Sequence, residues 1–191
     1  MLTAILTKIR ALIGDIGNTV DNEAWTYTSS KVFKIASPNA STPTSVLKNG
    51  TALTVTTQWT YNTTTQEITI AAGVSCTAGD IITANFTSYK YSDTEITEHL
   101  RGAIVYMSVM GYSSQYDFEL DGTDISPTPS SKECDLVAMI ASIIIKPDWM
   151  MYKTPTMEVR YVKNYDKDEK IQRIIDRARW ALGDFTVMTI E

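Results

Sequence analysis

His99 is the sole histidine of the chain. A catalytic triad or a multi-histidine metal site therefore lacks its other members. It stands mid-helix beside Glu98, where a solvated or cap-side position is the simpler reading. Cys76 and Cys134 are the only cysteines, too few for a zinc ribbon or a disulfide scaffold. Cys134 adjoins an expected helix start, where a thiol pKa can fall, but no base lies near it in sequence and it reads as core. Residues 117–124 (DFELDGTD) place oxygens at positions 1, 3 and 5 and glycine at 6, as a calcium loop does. Position 12 is Thr128, between Pro127 and Pro129, where a bidentate Glu is needed. An ordinary acidic surface loop is the better reading. Gly14 and Gly17 lack the context of a phosphate-binding loop. What remains is aromatic: Trp149, Tyr152, Tyr161 and Tyr165, with Met150, Met151, Met157 and Met188 nearby or in the tail. Such rings can stack nucleobases. Packing in a core or an interface explains them more economically, and methionines suit adaptable contact faces. No catalytic constellation survives, and neither a metal nor a cofactor is expected.

These side chains must be held by a chain of 191 residues, enough for one ordinary domain or two small ones. Hydrophobic residues make up 43% and charged residues 20%, which supports a real core rather than a disordered chain. Seventeen basic against 22 acidic residues give a net charge of −5. That weighs against a surface built to read phosphates. The N-terminal run is broken by Lys8 and Arg10 and lacks the layout of a signal peptide. The longest apolar run, 136–145, counts ten residues, against the roughly 20 of a membrane span. With two unpaired cysteines, a reducing compartment is the default. The four sequons, at Asn39, Asn49, Asn62 and Asn85, reflect the abundance of Ser and Thr.

The apolar stripe Leu2, Ile5, Leu6, Ile9, Leu12 and Ile13 predicts an opening helix, stopped by Gly14 and Gly17. From 31 to 91 charges become scarce and Thr abundant, and the segments 31–36, 46–47, 53–61, 67–71 and 82–86 read as short strands. Asn49-Gly50 is a hairpin signal, because a type I′ turn needs positive φ at both central residues. Helices then resume. Ser92–Glu95 and Ser130–Glu133 fit the capping box, and Asp166 to Glu169 opens a third helix that Gly183 stops. The last eight residues read as extended. Phe185, Val187 and Thr189 alternate with Thr186, Met188 and Ile190 along it. So apolar a tail either docks on a partner's sheet edge or folds back on its own sheet. The expected fold class is α+β: a helical bundle core with an inserted small antiparallel β-domain and an extended C-terminal tail. The core takes residues 1–30 and 92–183, the β-domain 31–91 and the docking tail 184–191.

Three stretches together resemble the head–tail connector (adaptor) proteins of tailed bacteriophages. They are the opening LTKIRALIGD helix, the block SVLKNGTALT…WTYNTTTQEITIAAG…AGDIITANFTSYKY, and the capped helix YSDTEITEHLRGAIVYMS. The resemblance covers most of the chain. It implies a non-enzymatic virion structural protein, made in the host cytoplasm and placed at the neck between head and tail. Its partners would be the portal protein and tail or neck proteins. It would form a homo-oligomeric, dodecameric ring that extends the DNA channel, with DNA passing through unbound and no membrane involved. Twelve copies at −5 each would give that ring a charge of −60, over which packaged DNA would slide without sticking. The residues assigned to the partner interface are Trp149, Met150, Met151, Tyr152, Phe185, Val187, Met188 and Ile190. The alternative is a virion β-module that binds carbohydrate or a receptor through the Thr-rich block and its Trp59.

Overall fold

The computed structural model describes residues 1–110, 118–122, 124–178 and 186–190, with 186–189 as backbone only. The first helix, α1 (Leu2–Ile13), buries Ile5, Leu6, Ile9, Leu12 and Ile13, the stripe its sequence dictates. Gly14 stops it in the left-handed region at φ 68°. The amides of Gly14 and Asp15 return to the carbonyls of Ala11 (3.3 Å) and Arg10 (2.8 Å). This is a Schellman ending, which needs a residue without Cβ strain at that position.

Seven strands follow: β1 (Asn18–Thr26), β2 (Val32–Lys34), β3 (Ser45–Lys48), β4 (Thr51–Ala52), β5 (Trp59–Asn62), β6 (Glu67–Ile70) and β7 (Ile81–Ser88). They form two antiparallel sheets, ordered β1-β7-β3-β4 and β2-β6-β5. Alternation along β7 buries Ile82, Ala84 and Phe86 against Phe33, Ile35, Val46, Trp59, Ile68 and Ile70. Asn49 and Gly50 both take positive φ, 47° and 81°, and join β3 to β4 as a type I′ turn does. β1 is an edge strand that its polar sequence NTVDNEAWT conceals. It is bulged between Val20 and Glu23, and such a bulge twists an edge out of reach of further pairing. The indole of Trp25 donates to Lys34 O (3.1 Å) and Glu23 accepts from Ala36 N–H (2.9 Å), so side chains tie this edge to the second sheet.

The turn before β7 is organised by one carboxylate. Asp80 accepts from Thr77 N–H (2.8 Å), the Asn49 amide (2.7 Å) and Lys48 Nζ (3.0 Å). Those donors, the Thr77 amide foremost, hold its pKa down at about 2. The unfolded carboxyl protonates near 3.9. The folded form therefore gains stability that is complete above about pH 4 and is lost as the pH falls towards 2. Asp80→Asn should flatten the acid limb of the melting curve over that interval, which thermal denaturation against pH will read. An unchanged acid limb would mean that the turn does not depend on the ionised carboxylate.

The chain then returns to helix: α2 (Asp93–Val109), the hairpin β8 (Glu119–Asp121) and β9 (Asp124–Ser126), and α3 (Ser131–Ile145). After these come β10 (Met151–Lys153), β11 (Met157–Tyr161), α4 (Lys167–Ala178) and β12 (Thr186–Ile190). Two compact units result, Met1–Asp15 with Asp93–Glu191, and Ile16–Ser92. β1 belongs to the second unit, whereas the sequence reading left it with the helices.

The expected helical bundle core is overturned. Among the described residues, strand is nearly as abundant as helix, and the unit holding α1–α4 also holds a three-stranded sheet, β10-β11-β12, and the β8–β9 hairpin. β11 and β12 are parallel, from Met157↔Thr186 to Tyr161↔Ile190, and α4 is the crossover that parallel strands require. The centre of this unit is α3, buried at every position from Cys134 to Ile143. It opens on a capping box: Ser130 accepts from Glu133 N–H (3.3 Å) and Glu133 accepts from Ser130 N–H (2.7 Å). Charged side chains sit inside this unit as well, Asp135 among them. Asp135 is fully buried, paired with Lys8 at 2.5 Å and bonded by the Thr156 amide (3.1 Å) and hydroxyl. Burial opposes its ionisation, but the Lys8 and Thr156 bonds outweigh it and its pKa is lowered.

Candidate interaction surface

The aromatic residues singled out by sequence converge in the helical unit. α3 ends at Ile145, and Lys146 turns its ammonium onto Ile13 O at the end of α1. The same Nζ lies 4.3 Å over the Trp149 ring. From Trp149 the rings run in a row: Tyr152 at 6.5 Å, then Tyr161 at 6.3 Å edge-on, then Tyr165 at 6.4 Å edge-on, capped by the Arg173 guanidinium at 4.2 Å. Edge-to-face packing and cations over ring faces are the geometries that ring quadrupoles favour. Tyr152 donates to Lys146 O (2.7 Å) and Tyr161 to Lys170 O (2.9 Å). Burial pushes both phenols far above their ordinary pKa.

Lys170 forms the knot beneath this row. It is fully buried, and its ammonium donates to Pro147 O, to Trp149 O (3.2 Å) and to Asn164 Oδ1 (3.0 Å). The loop after α3 is thereby pinned to α4. Burial lowers the Lys170 pKa from its ordinary value.

Two outward faces flank the buried α3. One belongs to the β10–β11 hairpin, where Met151 pairs with Arg160 and Lys153 with Glu158. Glu158 is buried and accepts from Arg160 (2.5 Å) and Lys153 (3.2 Å), which hold its carboxyl below the usual range. Met151 is 54% exposed and Val162 60%, with Trp149 at the rim. The other face is the outside of α2. Ile96, Leu100, Ala103, Ile104 and Met107 point inward, so Glu98, Arg101, Val105 and Val109 fall on the opposite side. Val105 is 59% and Val109 79% exposed.

Of the residues assigned to a partner interface, Trp149 and Met151 are exposed and Met150 is half-buried. Tyr152 and Ile190 are corrected: both are buried in the unit's own interior, because the segments around them are strands with an inward face. Val187 and Met188 lie in β12 opposite Glu158 and Val159. Phe185 lies outside the described residues. Trp59 is also corrected as a binding anchor. It is 3% exposed in the β-unit core, with its indole N–H on Leu53 O (3.1 Å). His99 is half-buried on α2, and Cys134 is buried with its thiol pKa raised by burial. Glu119, Asp121 and Asp124 of the acidic segment lie on β8–β9, Asp124 pairing with the N-terminal amine at 3.2 Å. Asp117 lies outside the described residues. The α2 face had a signal that the sequence reading passed over: valines at i and i+4 that stand off the buried stripe.

Among the described residues, no helix is long and apolar enough to cross a membrane, and no three His, Cys, Asp or Glu side chains converge as a metal site. No protein-family model matches the chain, and no curated protein shows significant similarity to it.

Proposed function

We propose that the chain is a non-enzymatic head–tail connector, assembling into a ring on a portal and carrying the DNA channel towards the tail. The observation that carries this reading is the pair of unlike outward faces on either side of α3. Apolar side chains this exposed are common on surfaces that meet other proteins. Two different faces on one subunit make head-to-tail contacts, and those close into rings when the rotation permits. The charge distribution supports it as well. The β-unit carries Asp21, Glu23, Glu67 and Asp80 against Lys31, Lys34, Lys48 and Lys90, so the net −5 resides in the helical unit. That suits the part that would surround a DNA path.

Electron microscopy of the purified protein with and without portal tests the reading. The expected result is a closed ring seated on the portal with a fixed number of copies. Binding of one copy per portal, or none, would overturn it. The carbohydrate- or receptor-binding alternative loses its named aromatic anchor with Trp59 in the core.

A further inference from the structure

We propose that Asn49 is a site of spontaneous self-modification, deamidation through its own glycine neighbour, which the native turn holds shut with a latch built on Asp80 and Ile81. The proposal is independent of the connector reading.

Asn49 is the only asparagine of the chain followed by glycine. The reaction needs no co-reactant but water. The Gly50 backbone nitrogen gives up its proton and attacks Cγ of Asn49. The Cγ–Nδ2 bond breaks, ammonia leaves, and a five-membered succinimide closes. Water then opens that ring at either carbonyl, to aspartate or isoaspartate. Glycine favours the attack because no side chain shields its nitrogen. Asn49 is exposed, and a Cβ built on Gly50 would meet nothing within 4 Å, so the surroundings give no steric cover.

What withholds the reaction is the bonding of the carboxamide itself. Its Nδ2 donates to Asp80 Oδ1 (2.7 Å) and its Oδ1 accepts from Ile81 N–H (2.8 Å). The Asn49 N–H donates to Ile81 O (2.8 Å), so backbone and side chain are both tied to the start of β7. Ring closure requires the carboxamide to turn from β7 onto Gly50, and both side-chain bonds must break first. The product cannot restore the latch. Aspartate at 49 has an oxygen where Nδ2 stood, facing the Asp80 carboxylate, and like charges that close repel. Lys48 Nζ, 3.0 Å from Asp80 Oδ2, offsets only one of the two. Isoaspartate adds a carbon to the backbone, for which the two-residue turn between Lys48 and Thr51 has no room. Deamidation at this turn is therefore one-way.

Peptide mass mapping of the full chain, held in mildly alkaline buffer and sampled over weeks, tests the latch. Conversion of Asn49 should be more than about ten-fold slower than in the urea-unfolded chain. Its rate should stay flat in low urea and climb only near the midpoint of the β-unit, because a local opening exposes little surface. A rate that climbs from the first addition means that global unfolding alone exposes the site, and overturns the latch, as does equal reaction in folded and unfolded chains. Asp80→Ala should speed the reaction several-fold more than Ile68→Val, which weakens the core from the other sheet, at equal distances below their melting temperatures. Equal acceleration would overturn the latch too; should Asp80→Ala not fold, the urea series decides. Asn49→Asp should lower the melting temperature of the β-unit by several degrees, and by less in an Asp80→Asn background. An unchanged melting temperature would overturn the one-way step.

Discussion

Removing residues 184–191 should unfold the helical unit. The deletion strips β12, whose register partners are Met157 to Tyr161 of β11. Met157, Val159 and Tyr161 are buried, as is Ile190. Burying an aliphatic side chain of that size stabilises by about 1.5–3 kcal/mol, and the β11 amides and carbonyls facing β12 would lose their partners. Together these losses rival the whole stability of a domain, roughly 5–15 kcal/mol. Circular dichroism should show the truncated protein without a cooperative helical transition at room temperature, while the β-unit keeps its own. Ile190→Asp should act in the same direction with the chain length intact. Had the tail been a docking segment, the isolated protein would melt as before. A truncated protein with an unchanged melting temperature would restore that role.

Lys170→Met should destabilise the same unit by about 3 kcal/mol, taking roughly 1 kcal/mol, the low end of the usual cost, for each of the three part-buried acceptors left unbonded. Methionine keeps the length and apolar stem of lysine but cannot donate. Pro147 O, Trp149 O and Asn164 Oδ1 would then share no donor. At roughly 4–8 °C per kcal/mol for a unit near 100 residues, the loss corresponds to a fall of more than about 10 °C. Arg177→Met, on an exposed position of the same helix, should stay within about 0.5 kcal/mol. Urea titration distinguishes the two through the midpoint. If both variants melted alike, water would be replacing the ammonium and the knot would have no energetic role.

The elements with strong periodicity were legible from residues alone. α1, α3 and α4 follow their apolar stripes, the Ser130 capping box forms as written, and Asn49-Gly50 turns as its φ values require. The failures share a physical origin. β1 is a nine-residue edge strand with polar side chains on most positions, and its pairing with β7 comes from contacts more than 50 residues away. β10 and β11 are short, three and five residues, below the length at which alternation declares itself. Without them the tail had no visible partner, so a strand of the unit's own sheet read as a segment seeking one. The aromatic row was visible as composition. Its burial was not, because Tyr152 and Tyr161 depend on α3 and α4 packing against the inner face of a sheet the reading had not foreseen.

Arg10 ends on two carboxylates, Asp15 at 2.5 Å and Asp93 at 2.7 Å. These are the last residue before the β-unit and the first after it. A single guanidinium thus fastens departure and return, and the 77 intervening residues, Ile16–Ser92, are a compact unit inserted between two neighbouring points of the helical unit's chain. Insertions of this geometry are interchangeable parts: what is placed there can be lengthened, shortened or replaced without rewriting the host, since closing a longer loop costs only about 0.6 kcal/mol per doubling. A lineage could therefore diversify the inserted unit under one set of pressures while the helical host stays constrained by another.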